Sequence, residues 1–470
     1  MKLKKALGFR DVVLFYLVSS LSLRWIATAA ATGPSALAVW VFAWFGFFLP
    51  LAACVLELSS RYPQEGGLYI WTREAYGECA GFMAAWTYWM SNLPYFSAVL
   101  YFGASSLLFA VPHAQSLAET NTYFLLFTAS MLALITVLNV VGLGTGKWLN
   151  NLGAMGMVLP IVFLIGLGVA TFARFGSATH FTLAGAVPRA HLNDLVFWST
   201  IFFAFSGCEC ASFMGDEIKD ARRVVPPALL LAGVFITIAY IAGTVAMLVA
   251  LPSSNISGLS GFMTVIDFLC HRLGLAAVVA PIAILVAISA VGSAAAYLSA
   301  TARLPFVVGI NHYLPPVFAR VHPRWQTPYV AILVYGCAGM LFGVLSQAGT
   351  TVKGAYDLLV AMSLIAYFIP YLFVFASMIR LQSRPYLPGT FRLPGGKPVA
   401  IVLACTGFFS TASAIVLSMF PADDERHPAM ALAKIIVMTL VLLVAGFLVY
   451  RRAQRSIARD AVTLSEGLAG

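Results

Sequence analysis

Long hydrophobic runs, separated by short polar stretches, extend along the whole chain. Each run holds about 20 or more mostly apolar residues, the length that a helix needs to cross the roughly 30 Å hydrocarbon core of a bilayer. The pattern predicts an all-α polytopic membrane protein with 12 transmembrane helices, numbered here as spans 1 to 12. The runs lie near residues 12–33, 36–58, 80–110, 121–143, 149–173, 195–214, 226–250, 275–302, 328–347, 355–379, 398–420 and 429–450.

Composition and charge agree with this pattern and predict an orientation. Hydrophobic residues make up 61% of the 470 residues and charged residues 10%, with a mean hydropathy of +0.90, whereas soluble domains carry about 25% charged residues. If the amino terminus is cytoplasmic, 21 of the 28 basic residues fall on cytoplasmic junctions, as the positive-inside rule requires. Both termini are therefore predicted to be cytoplasmic. Short loops and tails favour a bacterial inner (plasma) membrane, and the net charge gives no reason to expect nucleic acid.

Spans 1 and 6 are interrupted by small or polar residues. Span 1 contains Ser19-Ser20-Leu21-Ser22 and span 6 contains Ser206-Gly207; serine competes for backbone hydrogen bonds, and glycine weakens a helix. Because the interruptions lie five spans apart, an odd number, the two spans enter the membrane from opposite sides. This pattern is typical of two inverted five-span repeats with broken helices at matching positions. We expect repeats over 1–174 and 193–381, an added helix pair over 397–450 and a short basic cytoplasmic tail over 451–470.

Only two charged residues lie far from the ends of the predicted spans. They are Arg24 in span 1 and Glu209 in span 6. A charge near mid-bilayer costs about 2.5–3.5 kcal/mol on insertion scales, so such residues usually face a cavity or a partner. All seven histidines lie in loops or at span ends. Glu209 is therefore the leading candidate for gating or proton coupling, and the alternative is a buried, protonated side chain in a kinked helix.

Arg24 leaves three interpretations open. At a rise of about 1.5 Å per residue, it lies roughly 9 Å further from the cytoplasmic edge than Glu209 and about 7 Å below Asp357 of span 10. It could form an outer gate with Asp357, bind a substrate carboxylate, or pack as a structural cation beside Trp25. A direct bridge to Glu209 would require the broken helices to shift. A fixed positive charge near a pocket disfavours cationic ligands and favours anionic or zwitterionic ones.

Signatures of other chemistries are missing from the sequence. There is no Walker A loop and no HExxH motif, and the seven cysteines have no metal or redox spacing. No histidine lies at depth beside a serine or cysteine, as an intramembrane hydrolase would need. We therefore expect no catalytic residues, no metal ligands and no cofactor, and the protein is not predicted to be an enzyme.

Several stretches within the spans and in the loops next to them form a recognisable set. They are Glu57–Trp71, Phe205-Ser206-Gly207 with Glu209 and Asp216-Glu217, Arg223 with Pro226, Arg303 with Leu314-Pro315 and Thr327-Pro328, and Phe391-Arg392-Leu393-Pro394-Gly395-Gly396. In this order they resemble the amino acid–polyamine–organocation (APC) family of permeases over nearly the whole chain. The last stretch is similar to the glutamate/GABA-antiporter branch.

The resemblance implies a LeuT-like fold: a five-plus-five inverted repeat with broken helices 1 and 6, plus two carboxyl-terminal helices. It also implies alternating-access transport of amino acids or related amines, with the substrate held by the broken spans, and a role for Glu209 in gating and proton response. Positions that match the family's pocket are Phe203, Phe205, Ser206, Asn92 and Ser363, with Ser289 and Ser293 as secondary candidates. Phe203 and Phe205 match the aromatic position above the substrate.

Span 1 departs from the family pattern. Relatives have Gly-Ser-Gly there, with free amides that hold the substrate carboxylate, whereas this chain has about Ser19-Ser20-Leu21. The hydroxyls of Ser19, Ser20 and Ser22 could supply replacement donors.

Taken together, these features favour a secondary transporter that is proton-coupled or works by exchange, with a slight preference for neutral or acidic amino acids. The expected partners are a small-molecule substrate, a proton or counter-substrate, and membrane lipid, and the oligomeric state stays open. The alternatives are a transporter of cationic amino acids or polyamines and a transport-inactive sensor on the same fold.

Overall fold

The computed structural model describes residues 5–188, 192–346, 351–386, 388–418 and 428–469. Over these residues the structure is helical, apart from loops and one isolated β-bridge between Leu7 and Ile218. The helices are α1 (Phe9–Ser20), α2 (Leu23–Ala31), α3 (Ser35–Ala43), α4 (Leu49–Arg61), α5 (Leu68–Tyr76), α6 (Glu78–Ser91), α7 (Leu93–Leu107), α8 (Asn121–Val141), α9 (Leu143–Phe175), α10 (Leu183–Ala186), α11 (Leu192–Ala204), α12 (Ala221–Ala250), α13 (Gly261–Arg272), α14 (Val279–Thr301), α15 (Arg303–Ile310), α16 (Tyr329–Ser346), α17 (Val352–Leu381), α18 (Gly396–Ser418) and α19 (Pro428–Ala469).

The helix order follows the predicted order of spans. Within the described ranges, seven helical stretches are long and apolar enough to cross a membrane, and shorter apolar helices cover Tyr329–Leu345 and Ala366–Leu381. The prediction of exactly twelve spans therefore stays a prediction, while the all-helical membrane class is confirmed. The seven stretches are Phe9–Ala31, Ser35–Arg61, Asn121–Val141, Trp148–Phe175, Ala221–Ala250, Ala276–Gly309 and Gly396–Ser418.

Both interrupted spans are broken helices. In span 1, α1 ends at Ser20, and extended backbone at Leu21 and Ser22 precedes α2. In span 6, α11 ends at Ala204, and a 3₁₀ segment at Cys210–Glu217 follows the break. The sequence therefore predicted the positions of both breaks.

Two other elements differ from the spans read off the sequence. Span 3 is divided at Asn92, where α6 gives way to α7, because Pro94 lies in the first turn of α7 and cannot donate to the helix before it. Helix α19 continues past residue 450, the predicted end of span 12, to Ala469, and the assignment of 451–470 as a short basic cytoplasmic tail stays a prediction.

Helix α14 crosses the core and brings span 8 against the break in span 1. It packs against α1, α7 and α9. The crossing with α9 depends on two glycines, since a Cβ atom on Gly292 would lie 2.5 Å from the Cα atom of Gly153. This close approach positions Ser293 and Tyr297 beside the broken helices.

Candidate functional site

The two helix breaks pack directly against each other. Gly207 has a φ of +101°, and a Cβ atom there would lie 2.5 Å from the carbonyl oxygen of Ser19 and 2.7 Å from the hydroxyl of Tyr297. Only glycine fits this backbone conformation and this space. The break in span 6 is thus held against the last turn of α1.

Tyr240 of α12 links the same two breaks by hydrogen bonds. Its hydroxyl accepts from the amide of Ser22 at 3.1 Å and donates to the carbonyl oxygen of Ala204 at 2.8 Å. Its ring stacks on Trp40 with centroids 4.4 Å apart. Polar backbone that the breaks expose in an apolar region is therefore satisfied by a side chain from a third span, as burial requires.

Glu209 lies in a cage of hydrogen-bond donors beside the span 6 break. The side chain is 0% exposed. Its Oε1 atom accepts from Tyr88 of α6 at 2.5 Å and from Tyr371 of α17 at 2.9 Å, and its Oε2 atom accepts from the amide of Gly207 at 3.1 Å. This carboxyl group therefore joins span 6 to spans 3 and 10.

The tyrosine cage continues away from Glu209. The hydroxyl of Tyr367 lies 2.7 Å from that of Tyr88 and 3.4 Å from that of Tyr297. The ring of Tyr297 in turn lies 4.5 Å from that of Tyr95 of α7. These tyrosines are not among the site residues predicted from the sequence, although the i, i+4 spacing of Tyr367 and Tyr371 indicates one shared helix face.

Arg24 lies at the other end of this row of tyrosines. Its guanidinium carbon is 4.4 Å from the ring centroid of Trp25 and 5.2 Å from that of Tyr95. The residue is 1% exposed, and its Nε and Nη1 atoms have no hydrogen-bond partner in the described part of the chain. No ion pair between Arg24 and Glu209 is present among the described residues. Asp357 lies on α17, but its side chain is outside the described residues.

The two aromatic candidates face different surroundings. Phe203 packs edge-on against Trp25 at 5.6 Å and Tyr367 at 4.9 Å, between the two deep charges. Phe205 instead packs among Trp40, Phe48 and Tyr240, with centroid distances of 5.4, 5.0 and 5.3 Å. The structure therefore brings Phe203, and not Phe205, into contact with Trp25, which packs on Arg24, and with Tyr367 of the tyrosine row.

The serine candidates of spans 1 and 6 divide into bonded and unpartnered groups. The hydroxyl of Ser19 lies 3.4 Å from the carbonyl oxygen of Tyr16, within its own helix. The hydroxyl of Ser20 is buried without a partner in the described residues. Ser206 is buried in the turn after α11, and its amide donates to the carbonyl oxygen of Phe203 at 3.0 Å.

The candidates in spans 3, 8 and 10 are all buried. Ser363 and Ser289 bond backbone of their own helices, at 2.8 and 2.7 Å, whereas Ser293 donates to the carbonyl oxygen of Val18 in span 1 at 2.9 Å. Asn92 donates to the carbonyl oxygen of Tyr88 at 2.8 Å, and its Oδ1 atom has no partner among the described residues. Ser293 and Asn92 thus connect with the breaks and the cage.

A buried ionic cluster lies after the 3₁₀ segment of span 6, at the start of α15. Arg303 contacts Glu217 through Nη2 at 3.0 and 3.1 Å and lies 4.0 Å from Glu65. Glu65 Oε2 accepts from the amide of Asp216 at 3.0 Å. Burial and, next, the charge of Glu217 raise the pKa of Glu65 above its ordinary value. The residues lie within the sequence signatures, but their grouping was not predicted.

A second cluster fastens the linker after span 10. Glu57 accepts from Gln382 at 2.5 Å, from Tyr386 at 2.7 Å and from the amide of Leu393 at 3.3 Å. Arg61, 3.6 Å from Glu57, also donates to the carbonyl oxygen of Leu381 at 3.0 Å. In the described part of the chain, no cluster of three or more histidine, cysteine or acidic residues is placed to hold a metal ion.

Comparison with known proteins identifies the protein family of this chain. The amino acid permease family model matches residues 7–447. The chain belongs to the amino acid permease family. It is therefore an integral membrane transporter rather than an enzyme, and the resemblance seen in the sequence is confirmed.

The permease resembles bacterial transporters over most of its length. An uncharacterised transporter of Legionella pneumophila is 28% identical over 90% of this chain and 91% of the relative. A probable agmatine/putrescine antiporter of Lactococcus lactis is 24% identical over 91% of this chain and 90% of the relative. A glutamate/gamma-aminobutyrate antiporter of the same species is 23% identical over 86% and 82%.

A solved structure confirms the fold of the permease. The crystal structure of MhsT in complex with L-phenylalanine superposes with a TM-score of 0.59 at 13% identity, over 96% of this chain and 100% of that chain. At this identity the likeness concerns the fold alone. It confirms the predicted LeuT-like architecture with broken first and sixth spans.

Proposed function

We propose that this permease carries amino acids or related amines across a bacterial plasma membrane by alternating access, through exchange or proton coupling. The observation that carries the proposal is the pair of helix breaks in contact at Ser19 and Gly207, with Glu209 held beside them. Two relatives are named as antiporters of amino acids or amines. The cytoplasmic placement of both termini rests on the distribution of basic residues.

The breaks provide a route for alternating access. Broken helices can swing their two halves separately, so that one side of the membrane opens while the other stays closed. The cytoplasmic half of span 6 is held closed by Arg303 and Glu217, and Arg303 is 1% exposed. The proposed substrate site lies at the two breaks, beside Ser20, Ser22, Phe203 and Asn92.

Glu209 is the proposed proton-responsive switch. As a carboxylate it accepts from Tyr88, Tyr371 and the amide of Gly207. A proton on the carboxyl group turns one of its oxygens into a hydrogen-bond donor. The carboxyl group then no longer accepts fully from Tyr88, Tyr371 and the amide of Gly207. Protonation would therefore loosen span 6 from spans 3 and 10, as movement of the span 6 halves requires.

The test is transport by the purified protein in proteoliposomes. A thermal-shift screen against amino acids and amines at pH 5.5 and 7.5 first selects labelled substrates, since a ligand of the folded state raises the melting temperature. Uptake is then measured with and without the same substrate inside and with a pH gradient. We expect uptake that depends on internal substrate or on the gradient.

Glu209→Gln should abolish the pH dependence of this uptake, and Glu119→Gln, at an exposed outer position, should leave it unchanged. A folded wild-type protein that moves none of the screened compounds would overturn the transport proposal. Equal pH dependence in the wild type and Glu209→Gln would overturn the role of Glu209 alone.

A further inference from the structure

The amides of the span 1 break are occupied by the protein itself. The amide of Leu21 donates to the carbonyl oxygen of Leu17 at 3.1 Å, and that of Ser22 donates to the hydroxyl of Tyr240 at 3.1 Å. Neither amide is free to hold an anion, and the serine and leucine side chains there crowd backbone that glycine would leave open. A negatively charged substrate group needs other donors at this break.

Arg24 supplies such donors one turn beyond the break. It lies in the first turn of α2, whose N-cap residue Ser22 makes no side-chain capping bond. The residue is 1% exposed, and its Nε and Nη1 atoms are buried without partners in the residues that the structure describes. A buried guanidinium with unpartnered N–H groups is costly unless an anion or acceptor joins it.

Among the described residues, no carboxylate pairs with the positive charge of Arg24. Trp25 and Tyr95 cover it with aromatic rings at 4.4 and 5.2 Å, and Phe203 packs on Trp25 at 5.6 Å. Glu209, the other deep charge, is already bonded by its tyrosine cage. The start of a helix also favours a negative group. Within the described part of the chain, the guanidinium of Arg24 therefore lacks an anionic partner.

We infer that Arg24 binds a carboxylate of the transported substrate, so that this permease prefers amino acids to the amines that decarboxylation makes from them. The inference rests on the proposed transport function and names the substrate class of the same site. A carboxylate neutralises the guanidinium and satisfies its donors, whereas a substrate with only ammonium groups adds a second positive charge.

The experiment compares matched pairs of compounds as competitors for uptake into proteoliposomes. The pairs are alanine with ethylamine, phenylalanine with phenylethylamine, and ornithine with putrescine. In the wild type, the amine of a recognised pair should compete about tenfold to a hundredfold more weakly than its amino acid, the range expected for a hydrogen bond to a charged group. Arg24→Gln should bring the two members of the pair to nearly equal potency.

Two variants accompany Arg24→Gln. Arg24→Lys keeps the charge without the planar guanidinium, so it should still favour the amino acid, and this variant carries the test if Arg24→Gln does not fold. Arg174→Gln, at an exposed position at the end of α9, should behave as the wild type. Folding is checked by size-exclusion chromatography and a cooperative melt.

Three results would overturn the inference. They are wild-type amines that compete as well as their amino acids, an Arg24→Gln protein that keeps the wild-type ratio, and recovery of amino acid uptake in the charge-reversed pair Arg24→Asp with Asp357→Arg. The last result would assign Arg24 to an outer gate. A wild type that transports none of the screened compounds would instead overturn the proposed function, so the two failures are distinguishable.

Discussion

The carbonyl oxygen of Ser19 lies 2.5 Å from the point where a side chain on Gly207 would begin. Two breaks that are 188 residues apart in the chain are thus in van der Waals contact. Because Gly207 also has a φ of +101°, both its backbone and its surroundings exclude a Cβ atom. The contact fixes the span 6 break against span 1.

Replacing Gly207 with alanine should therefore separate the breaks. The strained φ alone costs about 1–3 kcal/mol, and the overlap with Ser19 adds to it. We expect a lower melting temperature and uptake reduced at least tenfold in proteoliposomes. Gly166→Ala is the matched control, because a Cβ on Gly166 meets nothing within 4 Å and the residue lies inside a helix. Equal behaviour of the two variants would contradict the packing of the breaks.

The sequence was sufficient to predict the membrane class and the position of the breaks. The apolar runs indicate the membrane class because a helix needs a minimum length of apolar residues to cross the bilayer. The breaks are visible because serine and glycine are out of place in long apolar helices, as at Ser20 and Gly207. Where α19 ends was not predictable, since a helix beyond the membrane needs no apolar residues.

The arrangement of the site was predictable only in part. Glu209 and Arg24 stood out because charge is rare at depth. Tyr88, Tyr371 and Tyr240 did not, because a tyrosine is common in apolar spans and its role depends on what its hydroxyl meets. The hydrogen-bond partner of each tyrosine hydroxyl is determined by packing between spans that are far apart in the sequence.

Tyr240→Phe should loosen both breaks together. The substitution leaves the amide of Ser22 without its acceptor and the carbonyl oxygen of Ala204 without its donor. Each buried polar group left unpaired costs about 1–3 kcal/mol. We expect a clear fall in melting temperature and weaker substrate binding, both measured by thermal shift. Tyr123→Phe, which removes a single hydrogen bond to Ala104, should have a smaller effect; a larger one would argue against the role of Tyr240.

Tyr88 and Glu209 should act as a unit in transport. Tyr88 donates to Glu209 and accepts from Tyr367, so Tyr88→Phe removes both bonds. We expect uptake to fall about tenfold in the wild-type background and to change little in the Glu209→Gln background, as coupled neighbours require. Initial rates in a double-mutant cycle measure this difference.

Tyr335→Phe provides the comparison for that cycle. Tyr335 is also buried, but its hydroxyl donates to the carbonyl oxygen of Trp89. Its effect should therefore combine additively with that of Glu209→Gln. Additive effects of Tyr88→Phe and Glu209→Gln would show that the cage does not work through the carboxyl group.

Glu65→Gln should make the stability of the ionic cluster around Arg303 less sensitive to pH. Glu65 and Glu217 both lie against one arginine, Arg303, and Glu217 is the closer of the two, at 3.0 Å against 4.0 Å for Glu65. Glu65 is therefore the carboxyl group that gains a proton, and burial with the charge of Glu217 raises its pKa. The stability that this group contributes is complete below its unfolded pKa, near 4.5, and is lost as pH rises through the folded pKa.

The melting temperature of the wild type should accordingly fall between pH 5 and pH 8, and that of Glu65→Gln, which is neutral throughout, should fall less. At pH 8 we expect the variant to melt about 2 °C or more above the wild type. Glu217→Gln provides the opposite case, because it removes one partner of a buried ion pair and should destabilise the protein at every pH by about 3–5 kcal/mol. Parallel pH profiles for the wild type and Glu65→Gln would mean that Glu65 stays ionised, in which case Arg303 must balance the charges of both carboxylates.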